Sequence, residues 1–347
     1  MGIPDLTDRE RQVLDAVIRT FVETAEPAGS RTLSRRFGLG VSPATIRNTM
    51  SDLEEKGFLF HPHTSAGRIP TDKAYRAYVD GLMRVQPIAS SDQARLEEEL
   101  RASGGTIETI LRRAAQSLGV LTQELGVALG PALEQTRLHR LDLLRVTSDK
   151  LVLVLTLVGG AVRTVFVEVR GELADTALAE VAFVLNERLA GLTLAQIKET
   201  LPARLRDAGR SPQAGEVLDI FVQEREHLFD AGLDTANDGV VLGQASVLAE
   251  QPEFAQGDDL RRLLELTETS QRLARTLRER TERPGITITI GGEHGDPLLG
   301  KLTVVTAEYR AGTLSGVIGV IGPTRMPYDK VVSVVTHTSR LVSALLA

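Results

Sequence analysis

The chain has 347 residues, 42% of them hydrophobic and 25% charged, with a net charge of −6. That balance suits about two or three globular domains and excludes a mainly disordered or fibrous protein. The absence of Cys excludes disulfide frameworks, thiol nucleophiles and Cys-based metal or Fe–S sites. The longest uncharged stretch, Ala311 to Thr324, has 14 residues and is broken by glycines. A membrane-spanning helix needs about 18 or more. The opening MGIPDLTDRE places acids before any apolar run, unlike a secretory signal, and Leu6 stands where a myristoylation motif wants Ser or Thr. The expectation is a cytoplasmic chain with no membrane partner.

In chain order, Thr7-Asp8-Arg9-Glu10 fits a capping box. The helix after it places Val13, Val17 and Phe21 on one face, and Glu26-Pro27 ends it. Ser30 is expected to cap a short helix from Arg31 to Phe37, with Gly38 just past its end. After the turn Gly38-Leu39-Gly40-Val41, Ser42-Pro43 supplies an N-cap and a first-position Pro for a third helix that stops near Gly57. On its wheel, Ile46, Met50 and Leu53 cluster on one side. Ala44, Asn48 and Ser51 lie opposite, flanked by Thr45 and Arg47. Phe58-Leu59-Phe60 and Gly67-Arg68-Ile69 bracket a loop and read as a two-stranded wing, and Thr71 caps a helix carrying Tyr75, Tyr78, Val79 and Leu82.

Two short helices around a Gly turn, the second with a small polar face, form a helix-turn-helix pattern. Two windows in this acidic chain contain no acid: Pro27 to Ser51, with Arg31, Arg35, Arg36 and Arg47, and Lys56 to Thr71, with Lys56 and Arg68. Such windows fit either a local nucleic-acid footprint or ordinary loops and a solvated helix face. In the first reading, Ala44 and Ser51 permit close approach to a major groove. Asn48 can pair with an adenine edge, and Arg47 can reach guanine or phosphate. Ser30, Arg31, Thr32, Arg35 and Arg36 hold phosphates, and Arg68 takes phosphate or the adjoining minor groove. His61 and His63 fit metal ligation, DNA contact or plain exposure. With no third ligand nearby in sequence, His63 is assigned to the DNA set and no metal is expected.

Arg84 to Ser91 reads as a linker. Asp92 to about Gly130 reads as helical, and 151–158 with 162–169 as a hairpin whose near-continuous apolar first strand is central. Helical patterns follow at 175–190 and 193–208, strands at 286–290, 301–308 and 314–321, and a last helix at 328–346. Strands on both sides of a mostly helical 211–280 region suggest an inserted domain. Its apolar positions, among them Val217, Phe221, Leu264 and Leu273, fit a local core or a subunit interface.

Gly295 to Leu302 nearly spells a phosphate-binding loop, but Leu302 lacks the required hydroxyl and a strand pattern follows. Gly316, Gly319 and Gly322 lack dinucleotide-binding spacing and suit close backbone packing in a strand. No Gly-x-Ser-x-Gly or His-Glu-x-x-His occurs. No enzyme activity and no cofactor are expected.

Longer motifs carry a resemblance. Glu26-Pro-Ala-Gly-Ser-Arg-Thr-Leu-Ser-Arg-Arg, Ser42-Pro-Ala-Thr-Ile-Arg-Asn, Asp52-Leu-Glu-Glu, Pro62-His-Thr-Ser-Ala-Gly-Arg-Ile-Pro-Thr-Asp, Glu250-Gln-Pro-Glu-Phe and Gly319-Val-Ile-Gly-Pro-Thr-Arg-Met resemble the HrcA family of heat-inducible transcription repressors. Matches run from residue 7 to about 342. The chain departs from the family's tendencies at Thr49, His294 and Pro327, and Thr49, on the side of the third helix, can alter contacts there. The resemblance implies an α+β multidomain protein in three parts: a winged-helix DNA-binding domain at 1–85, a discontinuous GAF-like α/β domain at 92–210 and 281–347, and an inserted, mostly helical dimerisation domain at 211–280. It implies a homodimer on an inverted-repeat operator of chaperone operons, with activity lost on heat stress and restored by the GroEL chaperonin. The competing reading is a metabolite-responsive regulator with an effector in the GAF-like domain, although no convergent polar cluster is visible there.

Overall fold

Thr7 and Glu10 close a reciprocal cap on α1 (Asp8–Thr24): Glu10 N donates to Thr7 Oγ1 at 3.3 Å and Thr7 N to Glu10 Oε2 at 2.8 Å. The computed structural model describes residues 6–62, 67–102, 107–131, 133–158, 162–169, 173–208, 211–229, 239–254, 261, 265, 270–281, 284–312 and 314–346. α2 (Ser30–Phe37) follows Gly29 and ends at Gly38, which adopts φ 56°. Ser42 caps α3 (Pro43–Glu55), its hydroxyl accepting from Thr45 N at 3.1 Å. The three helices pack on one another around buried Val13, Leu14, Val17, Ile18, Leu33, Ile46 and Leu53. β1 (Leu59–Phe60) and β2 (Ile69–Pro70) pair antiparallel. Thr71 caps α4 (Asp72–Ala77), which runs into a π turn at Tyr78–Leu82.

The chain divides into two compact units. The first holds 1–129, 240–309 and 317–345. After α4 it contains α5 (Ser90–Arg101), α6 (Ile107–Thr122) and β3 (Leu125–Leu129). The second unit holds 130–239 with the short pieces 310–316 and 346–347. It contains β4 (Leu138–Arg145), β5 (Lys150–Leu157), β6 (Val162–Glu168), α7 (Asp175–Leu189), α8 (Leu194–Leu205), α9 (Pro212–Gln223) and α10 (Arg225–Leu228). The first unit resumes with β7 (Val240–Leu242), α11 (Ser246–Ala249), α12 (Ser270–Thr281), β8 (Ile286–Ile290), β9 (Leu302–Ala311), β10 (Leu314–Pro323) and α13 (Tyr328–Leu345).

The first unit's sheet has the order β7-β3-β10-β9-β8. Its middle is tight: a Cβ on Gly319 would meet Val305 O at 1.9 Å, so only glycine lets β9 and β10 approach. α13 buries Val331, Val334, Val335 and Val342, and α6 packs on β3. Polar clamps join α4 to the end of β8. Arg76 grips Glu293 with both arms, Nε to Oε1 at 2.7 Å and Nη2 to Oε2 at 2.5 Å, and Gly292 N donates to Asp72 Oδ2 at 3.0 Å. Burial alone would raise the Glu293 carboxyl, but the Arg76 hydrogen bonds, the Ile290 N–H and the Arg76 charge together outweigh it and hold that carboxyl below its ordinary range. Arg325, also paired with Glu253, donates from Nη1 to Val22 O near the end of α1 at 2.6 Å.

In the second unit the strand order is β4-β5-β6, and β5 alternates strictly. Leu151, Leu153, Leu155 and Leu157 point into an apolar cluster with Val181, Leu185, Ile197, Leu201 and Phe221 from α7, α8 and α9. Asn186 on α7 closes the free edge of β4: Leu141 N donates to its Oδ1 at 2.9 Å and its Nδ2 donates to Leu141 O at 2.6 Å.

Several expectations change. The second helix starts at Ser30 with Gly29 as its cap, not after a Ser30 cap. Residues 125–129, read as helix, form the fully buried strand β3: Gly126 lies against Ala115 O, and a short apolar run does not reveal its period. The 151–169 hairpin has its expected central strand, but it belongs to a separate three-stranded sheet with the unforeseen β4. The excursion between β3 and β7, residues 130–239, forms the second unit, and β7, pairing with β3 (Val127 opposite Leu242), returns the chain to the first sheet. Leu264 lies outside the described residues. As expected, Gly300-Lys301 leads into a strand, β9.

Candidate nucleic-acid interface

α3 presents two faces. Ile46, Thr49, Met50 and Leu53 are buried, whereas Ala44, Arg47 and Asn48 are exposed and Thr45 and Ser51 half-buried. The apolar side follows the wheel expected from the sequence. Thr49 is only 5% exposed and its hydroxyl donates to Thr45 O at 3.1 Å, so the departure at this position faces the core and leaves the outer face unchanged. Ser51 donates back to Arg47 O at 3.2 Å, which keeps its short side chain close to the helix. The acids of α3, Asp52, Glu54 and Glu55, fall in its last turn. The outer face of its first turns is therefore small, polar and free of negative charge.

α2 packs on α3 and carries exposed Arg31, Thr32 and Arg35. Arg36 is exposed but engaged: it pairs with Glu23 on α1, and its guanidinium lies 5.4 Å from the Phe37 ring centroid. Ser30 is 8% exposed, so the residue expected to cap the helix instead lies almost buried at its first position. Arg68 lies beside β2 and forms a bridge with Ala28: Ala28 N donates to Arg68 O at 2.9 Å and Arg68 N to Ala28 O at 3.0 Å. Its Nε sits 2.7 Å from Glu54 Oε2. The two-stranded pair is thereby tied to the segment before α2 and to the end of α3. His61 is half-buried; His63 lies outside the described residues.

The sequence showed neither Glu54 as the partner of Arg68 nor Gly67 as the point of close approach. A Cβ on Gly67 would meet Ala28 O at 2.3 Å, so glycine is required for Arg68 to reach that bridge. The two partners lie far apart in sequence and are joined only by the turn from α3 into the strands, which no local pattern reveals. Glu10 is the third tie. It accepts from Lys56 Nζ at 2.7 Å, fastening the end of α3 to the start of α1, and this hydrogen bond with those from Thr7 holds the carboxyl below its ordinary range. Ser30, Arg31, Thr32, Arg35, Arg36, Ser42, Ala44, Thr45, Arg47, Asn48, Ser51 and Arg68 thus all lie on α2, α3, their caps and the adjoining strand segment. No group of three or more His, Asp or Glu able to hold a metal occurs among the described residues.

A family model described as the HrcA protein C terminal domain matches residues 108–332. The heat-inducible transcription repressor HrcA of Chlorobium luteolum is 37% identical, covering 100% of this chain and 99% of that one. The chain belongs to the HrcA family. The HrcA repressor of Chlorobium limicola is 36% identical over 100% of this chain and 99% of its own, and that of Syntrophobacter fumaroxidans 35% over 99% and 98%. A crystal structure of a hypothetical protein shares the fold at a TM-score of 0.68 and 24% identity, over 99% of each chain. HrcA is a family of stress-response transcription repressors, not an enzyme class, and the mixed α and β architecture accords with it. No helix among the described residues is long and apolar enough to cross a membrane.

Proposed function

We propose that this chain represses heat-shock (chaperone) operons by binding an inverted-repeat operator as a homodimer, with α1–α4 and the β1–β2 pair acting as a winged-helix reader. The observation that carries the reading is the outer face of α3. Asn48 and Arg47 stand exposed beside Ala44, no acid intervenes, and the strand pair is braced alongside. A recognition helix needs short side chains to enter the major groove and one or two side chains with base-reading donors and acceptors. One such reader contacts only a few base pairs, so a twofold pair is needed for a full operator.

The second unit offers the surface for that pairing. On the outer face of its sheet, Leu144, Val152 and Phe166 lie in register across the three strands. Leu144 is 56%, Val162 63% and Phe166 63% exposed. Contiguous exposed apolar residues on a sheet face fit a partner surface better than water. The dimerisation role is therefore assigned to the excursion at 130–239, and the GAF-like role to the five-stranded sheet with α5, α6 and α13.

Release on heating follows if warming loosens a marginally stable dimer, with recovery dependent on GroEL. Fluorescence anisotropy on inverted repeats from chaperone promoters, followed through a temperature ramp with and without chaperonin, tests both parts. Occupancy that changes with neither temperature nor chaperonin refutes this regulation. The effector reading gains no support from the cavity of about 290 Å³ near Asp72, Glu253, Leu298 and Thr324. Both of its carboxylates are already engaged, Asp72 by Gly292 N and Glu253 by Arg325.

A further inference from the structure

Among the capped helices of the N-terminal segment, α2 stands apart. α1, α3 and α4 each begin with a hydroxyl that accepts from a backbone N–H of the first turn, from Thr7, Ser42 and Thr71. α2 begins at Gly29, with no side-chain cap. The N–H groups of Ser30, Arg31 and Thr32 precede the first intrahelical bond, from Leu33 N to Gly29 O at 3.0 Å, and so have no partner within the helix. Beside them is a cleft of about 150 Å³, lined by Ala28, Gly29, Ser30, Arg47, Met50, Gly67 and Arg68. Two guanidinium residues and no acid line it; Glu54, which is not among the lining residues, pairs with the Arg68 Nε. Ser30 is more than nine-tenths buried, lines this cleft, and its hydroxyl has no hydrogen-bond partner among the described residues. An unbonded hydroxyl, unbonded helix N–H groups and two arginines around one small cleft are the donors that a tetrahedral oxyanion accepts from.

We infer that this cleft seats a single backbone phosphate of the bound DNA, and that Arg47 acts on that phosphate, not on a base edge. The inference rests on the reading of α3 as a DNA-binding helix and goes past it: of the two candidate readers on α3, Arg47 sets register and Asn48 alone faces the bases. Seating the phosphate also explains the bracing of the strand pair. Gly67 brings Arg68 onto Ala28, and Glu54 pairs with its Nε at 2.7 Å.

The test measures the salt dependence of binding to the footprinted operator and to a scrambled duplex, for wild type, Arg47→Ala, Arg47→Lys and Ser30→Ala. A phosphate contact gives Arg47→Ala an equal proportional loss on both duplexes and a log–log salt slope shallower by about 0.9. Arg47→Lys keeps the slope because it keeps the charge. Ser30→Ala weakens both duplexes alike by a smaller factor. Ethylation interference with the wild type marks one sensitive phosphate per half-site at this position, and that mark vanishes in Arg47→Ala. Arg47 is exposed, so matched thermal melts of wild type and variants verify that the fold is kept. A loss confined to the operator, with the salt slope unchanged, makes Arg47 a base reader and overturns the inference while leaving DNA binding intact. Failure of the wild type to bind either duplex overturns the underlying reading instead.

Discussion

The outer face of α3 and the outer face of the β4–β6 sheet are both open to solvent, yet their chemistry is opposite. The first is short, polar and flanked by arginines; the second carries Leu144, Val152, Val162 and Phe166. The buried sides of both are ordinary core, Ile46 and Leu53 in one and Leu153 and Leu155 in the other. The difference lies wholly in residues that folding leaves exposed, and such residues report on partners: a polyanion for the first, a second apolar surface for the other.

The largest way to break this contrast is Phe166→Asp. At 63% exposure the side chain contributes little to its own unit, so the fold survives. A charge at the centre of an apolar interface costs about 2–4 kcal/mol of association. Sedimentation is expected to show a monomer, and operator affinity to fall with it. A dimer that persists would move the pairing surface elsewhere. Next in size, Asn48→Ala is expected to cost roughly 1–3 kcal/mol on the operator and almost nothing on scrambled DNA. Loss on both duplexes would demote Asn48 to a phosphate contact. Arg35→Ala, exposed on α2, is expected to weaken all DNA evenly and to lower the salt slope by about 1, read by titration at several salt concentrations.

The smallest effect separates the two regions by pH. The Glu10 carboxyl is held low in the folded state, so in acid the unfolded chain binds the proton more readily. Its contribution is present above the ordinary glutamate range and is lost as pH falls through the folded value. Amide protection factors, taken relative to the intrinsic exchange rate at each pH, are therefore expected to fall at α1–α3 on acidification, while those of β5, held by an apolar cluster, change less. Glu10→Gln flattens that difference. An equal response of both regions would show that the Glu10–Lys56 tie is incidental.

Local signals carried far in the N-terminal segment. The Thr7 box, the Ser42-Pro43 start and the split wheel of α3 are all readable because cap and period lie within a few residues of each other. What lay hidden depends on distant partners. β3 looked helical because Leu125–Leu129 is too short to show a period, and only the approach of Ala115 explains Gly126. The extent of the excursion turned on β7 finding β3, a pairing across the whole second unit. Within the candidate site, the side chains of α3 were legible and their surroundings were not. Ser30 was expected as a cap but sits almost buried beside a cleft, and Arg68, expected to take phosphate or the minor groove, also pairs with Glu54, a partner no local pattern names.

The most direct test of the whole account is a footprint of the purified chain on the promoters of chaperone operons. Two protected half-sites related by a twofold axis, one or more helical turns apart, are predicted. Uniform protection without half-sites, or none at all, would contradict it.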